Sequence, residues 1–168
     1  MNDVPAARID PNTGVNELLA LPDEVKEQLA KHLALYQQDP VAAHYWDPIC
    51  IGVPGGPVKC LKLTYTGRKS GKQLETVLQY YWLDGKPAVV GTRGGSVDHP
   101  LWYLNLVETP ECEIQIAGEH RVAVARTLND EERAKYWPQI TTEQPEYLVY
   151  EKRTTRLIPV VVFDEPAA

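Results

Sequence analysis

Thr76-Val77-Leu78-Gln79-Tyr80-Tyr81-Trp82-Leu83-Asp84-Gly85 is followed at once by Lys86 and the mostly apolar run 87–92, and this stretch sets the fold class. β-Branched and aromatic residues crowd its first eight positions, and Asp-Gly suits a two-residue hairpin turn with positive φ. Two antiparallel strands, 76–83 and 87–92, are therefore expected. Working outward, residues 58–65 interleave Lys59 and Lys62 with apolar neighbours, and 112–116 and 121–127 flank Ala117-Gly118 as a second hairpin. Leu157-Ile158-Pro159-Val160-Val161-Val162-Phe163 reads as a final buried strand. About six short strands joined mostly by hairpins, with three or four short helices, favour a small antiparallel barrel over a doubly wound parallel sheet.

The helical segments lie outside and between these strands. Val25, Leu29, Leu33 and Tyr36 recur at helical spacing, which predicts an amphipathic helix from about Pro22 to just before Pro40. A segment around His44-Tyr45-Trp46 and a turn over 52–57 follow. Asp98 is expected to cap a short helix over 99–106, and Asn129 with Glu132 forms a capping box for a helix containing Tyr136 and Trp137. A last short helix is expected over 146–152. Residues 1–20, with Pro5, Pro11 and Gly14 and few large apolar groups, read as a flexible arm, leaving 21–168 as one domain.

With 168 residues and a formal charge of −6, the chain is suited to one core and argues against nucleic acid as a partner. Three cysteines without metal-ligand spacing, Cys50, Cys60 and Cys112, indicate neither a disulfide framework nor a zinc site, and a reduced, cytoplasmic setting is expected. No apolar run approaches the roughly 20 residues that span a bilayer, so membrane contact is at most peripheral. The four histidines show no pair at ligand spacing, and capping or surface roles are expected for them, with no metal.

Chemistry concentrates in three places. Thr66-Gly67-Arg68-Lys69-Ser70-Gly71-Lys72 joins cations, hydroxyls and two glycines, as an anion-holding loop would, although a solvated hairpin tip reads the same way. It is not a nucleotide P-loop, because its glycines are one residue too close and Gln73 stands where Ser or Thr is needed. Arg93-Gly94-Gly95 precedes the segment containing Trp102 and Asn105, where a second anion contact competes with plain loop and core roles. Asn105, among apolar neighbours, must reach a backbone group or meet a ligand. Tyr147 and Tyr150 share a helix face and are either half-buried structural tyrosines or the wall and hydrogen-bond donors of a ligand pocket.

Taken in order, Thr64-x-Thr66-Gly67-Arg68-Lys69-Ser70-Gly71-Lys72, Gly94-Gly95-x-x-x-His99-Pro100-x-Trp102-Tyr103-x-Asn105-Leu106, Pro145-x-Tyr147-x-x-Tyr150 and Arg153-Thr154-x-Arg156-x-Ile158-Pro159-Val160-Val161-Val162 resemble the deazaflavin-dependent nitroreductase family. The likeness covers about residues 58–163. It implies a split antiparallel β-barrel, similar to the FMN-binding pyridoxamine-phosphate-oxidase fold, and hydride transfer from reduced coenzyme F420 to a quinone, enone or nitro compound, with a tyrosine or water supplying the proton. By the same resemblance Thr66, Gly67, Arg68, Lys69, Ser70 and Lys72 hold the coenzyme's phosphate and acidic tail. Arg93, Gly94, Gly95, Trp102 and Asn105 line its groove, and Tyr147 and Tyr150 border the acceptor.

The chain departs from that family where Gln73-Leu74-Glu75 replaces the usual Pro-Arg, removing a cation and adding a carboxylate, an effect worth about 1–3 kcal/mol if the contact is direct. A bulge or shifted register is also expected before Asp84-Gly85. A flavin such as FMN in the same barrel, and a non-catalytic carrier or sensor of an anionic small molecule, are the alternatives. A homodimer stays open beside a monomer.

Overall fold

The computed structural model describes residues 23–167, so the arm expected over 1–20 lies outside the described residues. Helix α1, Asp23–Gln38, begins with Asp23 and Glu24 in its first turn, where carboxylates favour the positive end of the helix dipole. A one-turn helix α2 at Pro40–Ala43 leads to strand β1, Tyr45–Trp46, and a 3-10 turn at Pro48–Ile51. The barrel strands follow: β2 Val58–Thr66, β3 Gln73–Gln79, β4 Tyr81–Leu83, β5 Lys86–Val90, β6 Glu111–Ile116, β7 Glu119–Thr127 and β8 Val160–Asp164. Helix α3, Leu101–Glu108, lies between β5 and β6, and α4, Asp130–Glu143, and α5, Glu146–Glu151, between β7 and β8.

Every strand pair is antiparallel, in the order β1-β2-β6-β7-β8-β5-β4, with β3 also on β2. β3 and β4 are separated only by Tyr80, yet β3 pairs with β2 and β4 with β5, so the sheet must curl round on itself. This corrects the single strand expected over 76–83. Pairing of β2 with β3 is continuous from Cys60–Gln79 to Thr66–Gln73, without the bulge or slip that was expected; the interruption falls at Tyr80 instead. There the chain turns a corner, with Tyr80 packed in one core cluster and Tyr81 in another.

Two cores explain the sequence pattern. The first holds Leu61, Leu63, Val89, Ile114, Val161 and Phe163 inside the curled sheet, and the second holds Ala88, Val90, Val160 and Val162 with Ile140, Tyr147 and Tyr150 of α4 and α5. β5 and β8 are thus buried on both faces, which is why they read as apolar runs and not as alternation. The run expected to begin at Leu157 pairs only from Val160, because Pro159 offers no N–H and Leu157 is exposed.

α1 packs on β3 and is pinned from within: the buried Tyr36 hydroxyl accepts from Ala117 N–H at 2.9 Å and donates toward the carbonyls of Cys60 and Gln115, at 2.9 and 3.0 Å. The capping box of Asn129 and Glu132 forms as expected. The Asp98 cap does not: α3 starts two residues later than expected, behind Pro100, and the Asp98 carboxylate turns to Arg93 at 3.8 Å. His32 also departs from a surface role, being buried and stacked on Trp46 with ring centroids 4.4 Å apart. The three cysteines are free, and among the described residues no cluster of His, Cys, Asp and Glu could hold a metal ion. No described helix is long and apolar enough to cross a membrane.

Candidate active site

β3, α1, α5 and the 90–94 segment line a largely apolar, half-open cavity of about 530 Å³, within the range for small-molecule sites. Val77, Leu78 and Val90 supply its aliphatic wall, and Trp46, Trp102, Tyr147 and Tyr150 its aromatic one. Of the residues singled out from the sequence, Arg93, Gly94, Trp102, Tyr147 and Tyr150 line this cavity, whereas Thr66–Lys72, Gly95 and Asn105 do not. Trp102 combines the two roles weighed for it, since it also packs in the first core.

The Arg93 side chain is held by backbone that ordinary residues avoid: Arg93, Gly94 and Gly95 have φ of 44°, 63° and 81°. At Gly95 a Cβ would lie 2.5 Å from the Tyr150 carbonyl oxygen, so only glycine lets α5 approach. Arg156 fastens the same segment from behind, donating to the carbonyls of Ser96, Gly91 and Thr92 at 2.8, 3.1 and 2.8 Å. Its Nη1 also lies 3.2 Å from His99 Nδ1, and burial followed by the Arg156 charge holds His99 below its ordinary value of 6.5. His99 is thus the acceptor.

The basic loop stands apart from the cavity but is joined to it by α3. Asn105 Oδ1 accepts from the Arg68 backbone N–H at 2.9 Å and from Arg68 Nη1 at 3.0 Å, so Asn105 reaches a backbone group and braces the loop. Trp102, three residues earlier on the same helix, lines the cavity, so about one turn of α3 links loop and cavity. Within the loop Gly67 N–H donates to Lys72 O at 2.8 Å and Ser70 Oγ accepts from Lys72 N–H at 3.1 Å. Thr66 Oγ1 accepts from Gln73 Nε2 at 3.0 Å at the base of the hairpin. Arg68 also faces Glu108 at 3.6 Å, but Lys69 and Lys72 are exposed and make no ion pair among the described residues.

Glu75, the carboxylate set against a polyanionic tail, is met locally. It pairs with Lys62 at 2.8 Å and accepts from Gln37 of α1 at 2.7 Å and Thr64 at 3.3 Å; hydrogen bonding from Lys62 foremost holds its carboxyl below the ordinary 4.5. Leu74 turns toward the loop, its Cδ1 3.2 Å from where a Cβ on Gly67 would stand. Sequence reasoning passed over Gln79, Gln144, His32 and Trp46, all cavity residues, because a lone amide or a helix-face histidine carries no motif. Arg156 was legible only as part of a motif, and its bracing role is a product of the fold.

Burial pushes the Tyr147 hydroxyl well above the ordinary phenol value, and its ring sits 6.1 Å from those of both Tyr81 and Tyr150. The site thus joins an aromatic-walled space containing a buried guanidinium to an exposed cationic loop. An elongated ligand with a flat apolar ring and an anionic tail fits these two parts.

Comparison with known proteins agrees with this geometry. The family model described as F420H(2)-dependent quinone reductase matches residues 48–165. An F420H(2)-dependent quinone reductase of Mycobacterium tuberculosis is 34% identical over 114 residues, covering 66% of this chain and 75% of that protein. A solved F420-H2 dependent reductase is 35% identical, covering 62% of this chain and 93% of that one, with a TM-score of 0.58. A second solved structure, described only as a domain-swapped dimer, is 31% identical, covering 84% of this chain and 98% of that one, with a TM-score of 0.60. The curled antiparallel sheet is accordingly the split barrel of these reductases, and the chain belongs to the F420H(2)-dependent quinone reductase family, an oxidoreductase whose coenzyme is F420.

Proposed function

We propose that the cavity holds the deazaflavin ring of F420 beside an electron-poor acceptor, a quinone first and an enone or nitro compound by the same chemistry, while the loop at Thr66–Lys72 holds the anionic tail. The observation that carries this reading is the pairing of an aromatic-walled cavity with a separate loop whose Lys69 and Lys72 make no ion pair among the described residues, joined through α3. Bound F420H2 supplies a hydride, and a quinone that gains a hydride and a proton becomes the hydroquinone. The chain's own task is to orient the two rings and exclude water. α1 and α5 cover the space, and Arg93 offers positive charge where negative charge develops on the acceptor oxygen.

Tyr147 acts in this scheme as a hydrogen-bond donor. Burial pushes its hydroxyl above an ordinary phenol, so it stays protonated at neutral pH and offers its O–H to the reduced oxygen, the proton that completes the hydroquinone being drawn finally from solvent. Purified protein should gain melting temperature with F420 and oxidise F420H2 when a naphthoquinone is added; absence of both effects would sink the proposal. The neighbour described as a domain-swapped dimer supports a homodimer, which sedimentation of the purified chain would check.

A further inference from the structure

We propose that the Gln79–Gln144 carboxamide pair is the polar anchor of the acceptor subsite, donating an N–H to the quinone carbonyl oxygen and accepting the O–H of the hydroquinone. The inference rests on the quinone-reductase reading above. Gln144 Nε2 donates to Gln79 Oε1 at 3.1 Å, and both residues line the cavity. Gln79 ends β3 at the corner before Tyr80, and Gln144 ends α4, where its backbone N–H donates to Ile140 O and its carbonyl accepts from Tyr147 N–H at 3.2 Å. The amide is thus held on the same turn that starts the tyrosine helix.

Gln144 is only 4% exposed, yet among the described residues neither carboxamide makes a further hydrogen bond, and no atom of either is sealed away from solvent without a partner. Because both residues line the cavity, their remaining donor and acceptor capacity lies within reach of a ligand there. The assignment of amide O and N does not alter this, because reversing both side chains still leaves one NH2 and one C=O unused. An apolar cavity that keeps such a pair is built for a ligand with complementary polar atoms, since a buried amide left unmatched costs free energy. A quinone oxygen is an acceptor before reduction and, as hydroquinone, a donor afterwards. The pair offers a partner for each state. Two other polar cavity side chains are less free to do this, Glu75 being held by Lys62 and His32 Nε2 donating to Ala43 O at 3.0 Å, whereas the Arg93 guanidinium can only donate and Tyr147 serves above as a donor, so neither also accepts from the hydroquinone as the pair does.

The test measures equilibrium binding without turnover, through quenching of the cavity residues Trp46 and Trp102, for wild type, Gln79→Met, Gln144→Met and Gln79→Asn. The probes are 1,4-naphthoquinone and naphthalene, which shares its shape but lacks both oxygens. Methionine keeps the length of glutamine, and asparagine keeps the amide but draws it back by one methylene. Loss of one hydrogen bond should weaken naphthoquinone binding about 3- to 10-fold in the variants and leave naphthalene and F420 binding unchanged. Equal binding of naphthoquinone by wild type and all three variants overturns the inference. So does weakened F420 binding with naphthoquinone binding intact, which would give the pair to the coenzyme. Wild type that oxidises no F420H2 with any quinone overturns the functional reading itself, a result separable from the variants' binding.

Discussion

Gly95→Ala is the substitution whose cost can be worked most fully from the geometry. Gly95 has φ of +81°, and a Cβ there would stand 2.5 Å from Tyr150 O, 3.0 Å from Tyr150 Cα and 3.1 Å from Arg153 Cβ. The left-handed conformation alone costs a non-glycine residue about 1–2 kcal/mol. The contacts add to this, because the nearest atoms are backbone and α5 must move; overpacking of this kind costs about 1–3 kcal/mol more. Gly56→Ala separates the two contributions, since Gly56 has φ of +88° but no atom within 4 Å of its Cβ position. For a chain of this size about 2–4 °C of melting temperature accompanies each kcal/mol, so Gly56→Ala should lower it by roughly 2–8 °C and Gly95→Ala by roughly 4–20 °C. Gly95→Ala should also lose quinone turnover, because Tyr150 is the residue displaced. Thermal unfolding of both variants in one buffer decides the matter: if Gly95→Ala melts no lower than Gly56→Ala, the close approach of α5 to the glycine turn is not what that turn is for.

Asn105→Leu removes the shared acceptor of two Arg68 donors and should weaken F420 binding by about 1–3 kcal/mol, or 5- to 150-fold in Kd, by fluorescence titration; an unchanged Kd would detach the brace from the coenzyme site. Replacing Lys69 and Lys72 together by alanine should weaken F420 binding about 10-fold at low salt and flatten its salt dependence, whereas an unchanged salt slope would remove the loop from the tail site. Glu75 has its carboxyl lowered in the folded state, so its contribution to stability is full above the ordinary value of 4.5 and is lost as pH falls through the lower folded value. The melting-temperature gap between wild type and Glu75→Gln should accordingly be present at neutral pH and narrow as the pH falls below 4.5, closing in acid; a gap that persists in strong acid would contradict the ion pair with Lys62. Tyr147→Phe should lower kcat with naphthoquinone about tenfold and leave the Kd for F420 unchanged, as loss of a hydrogen bond made chiefly in the transition state requires.

The chain's own letters determined the local elements. Asp84-Gly85 fixed a tight turn because its backbone conformation suits few other residues, and Asn129 with Glu132 fixed a helix start because both partners of the box lie within one turn. The ordered motifs from Thr64 to Val162 also carried the family and its coenzyme, since glycines and cations at set spacing are rare by chance. What depended on distant segments was not legible. Strand 76–83 breaks at Tyr80 because its two halves pair with different strands, and no local rule says where a sheet must turn its corner. Asp98 has the composition of a cap but faces Arg93, and Asn105 serves Arg68 across 37 residues of chain, contacts that exist only once α3 has docked beside the β2–β3 hairpin. The same holds for Gln79 and Gln144, whose side chains meet across 65 residues. Short-range order follows from propensities summed along the chain. The cavity follows from which distant faces the curled sheet brings together, and that is set by closure of the fold.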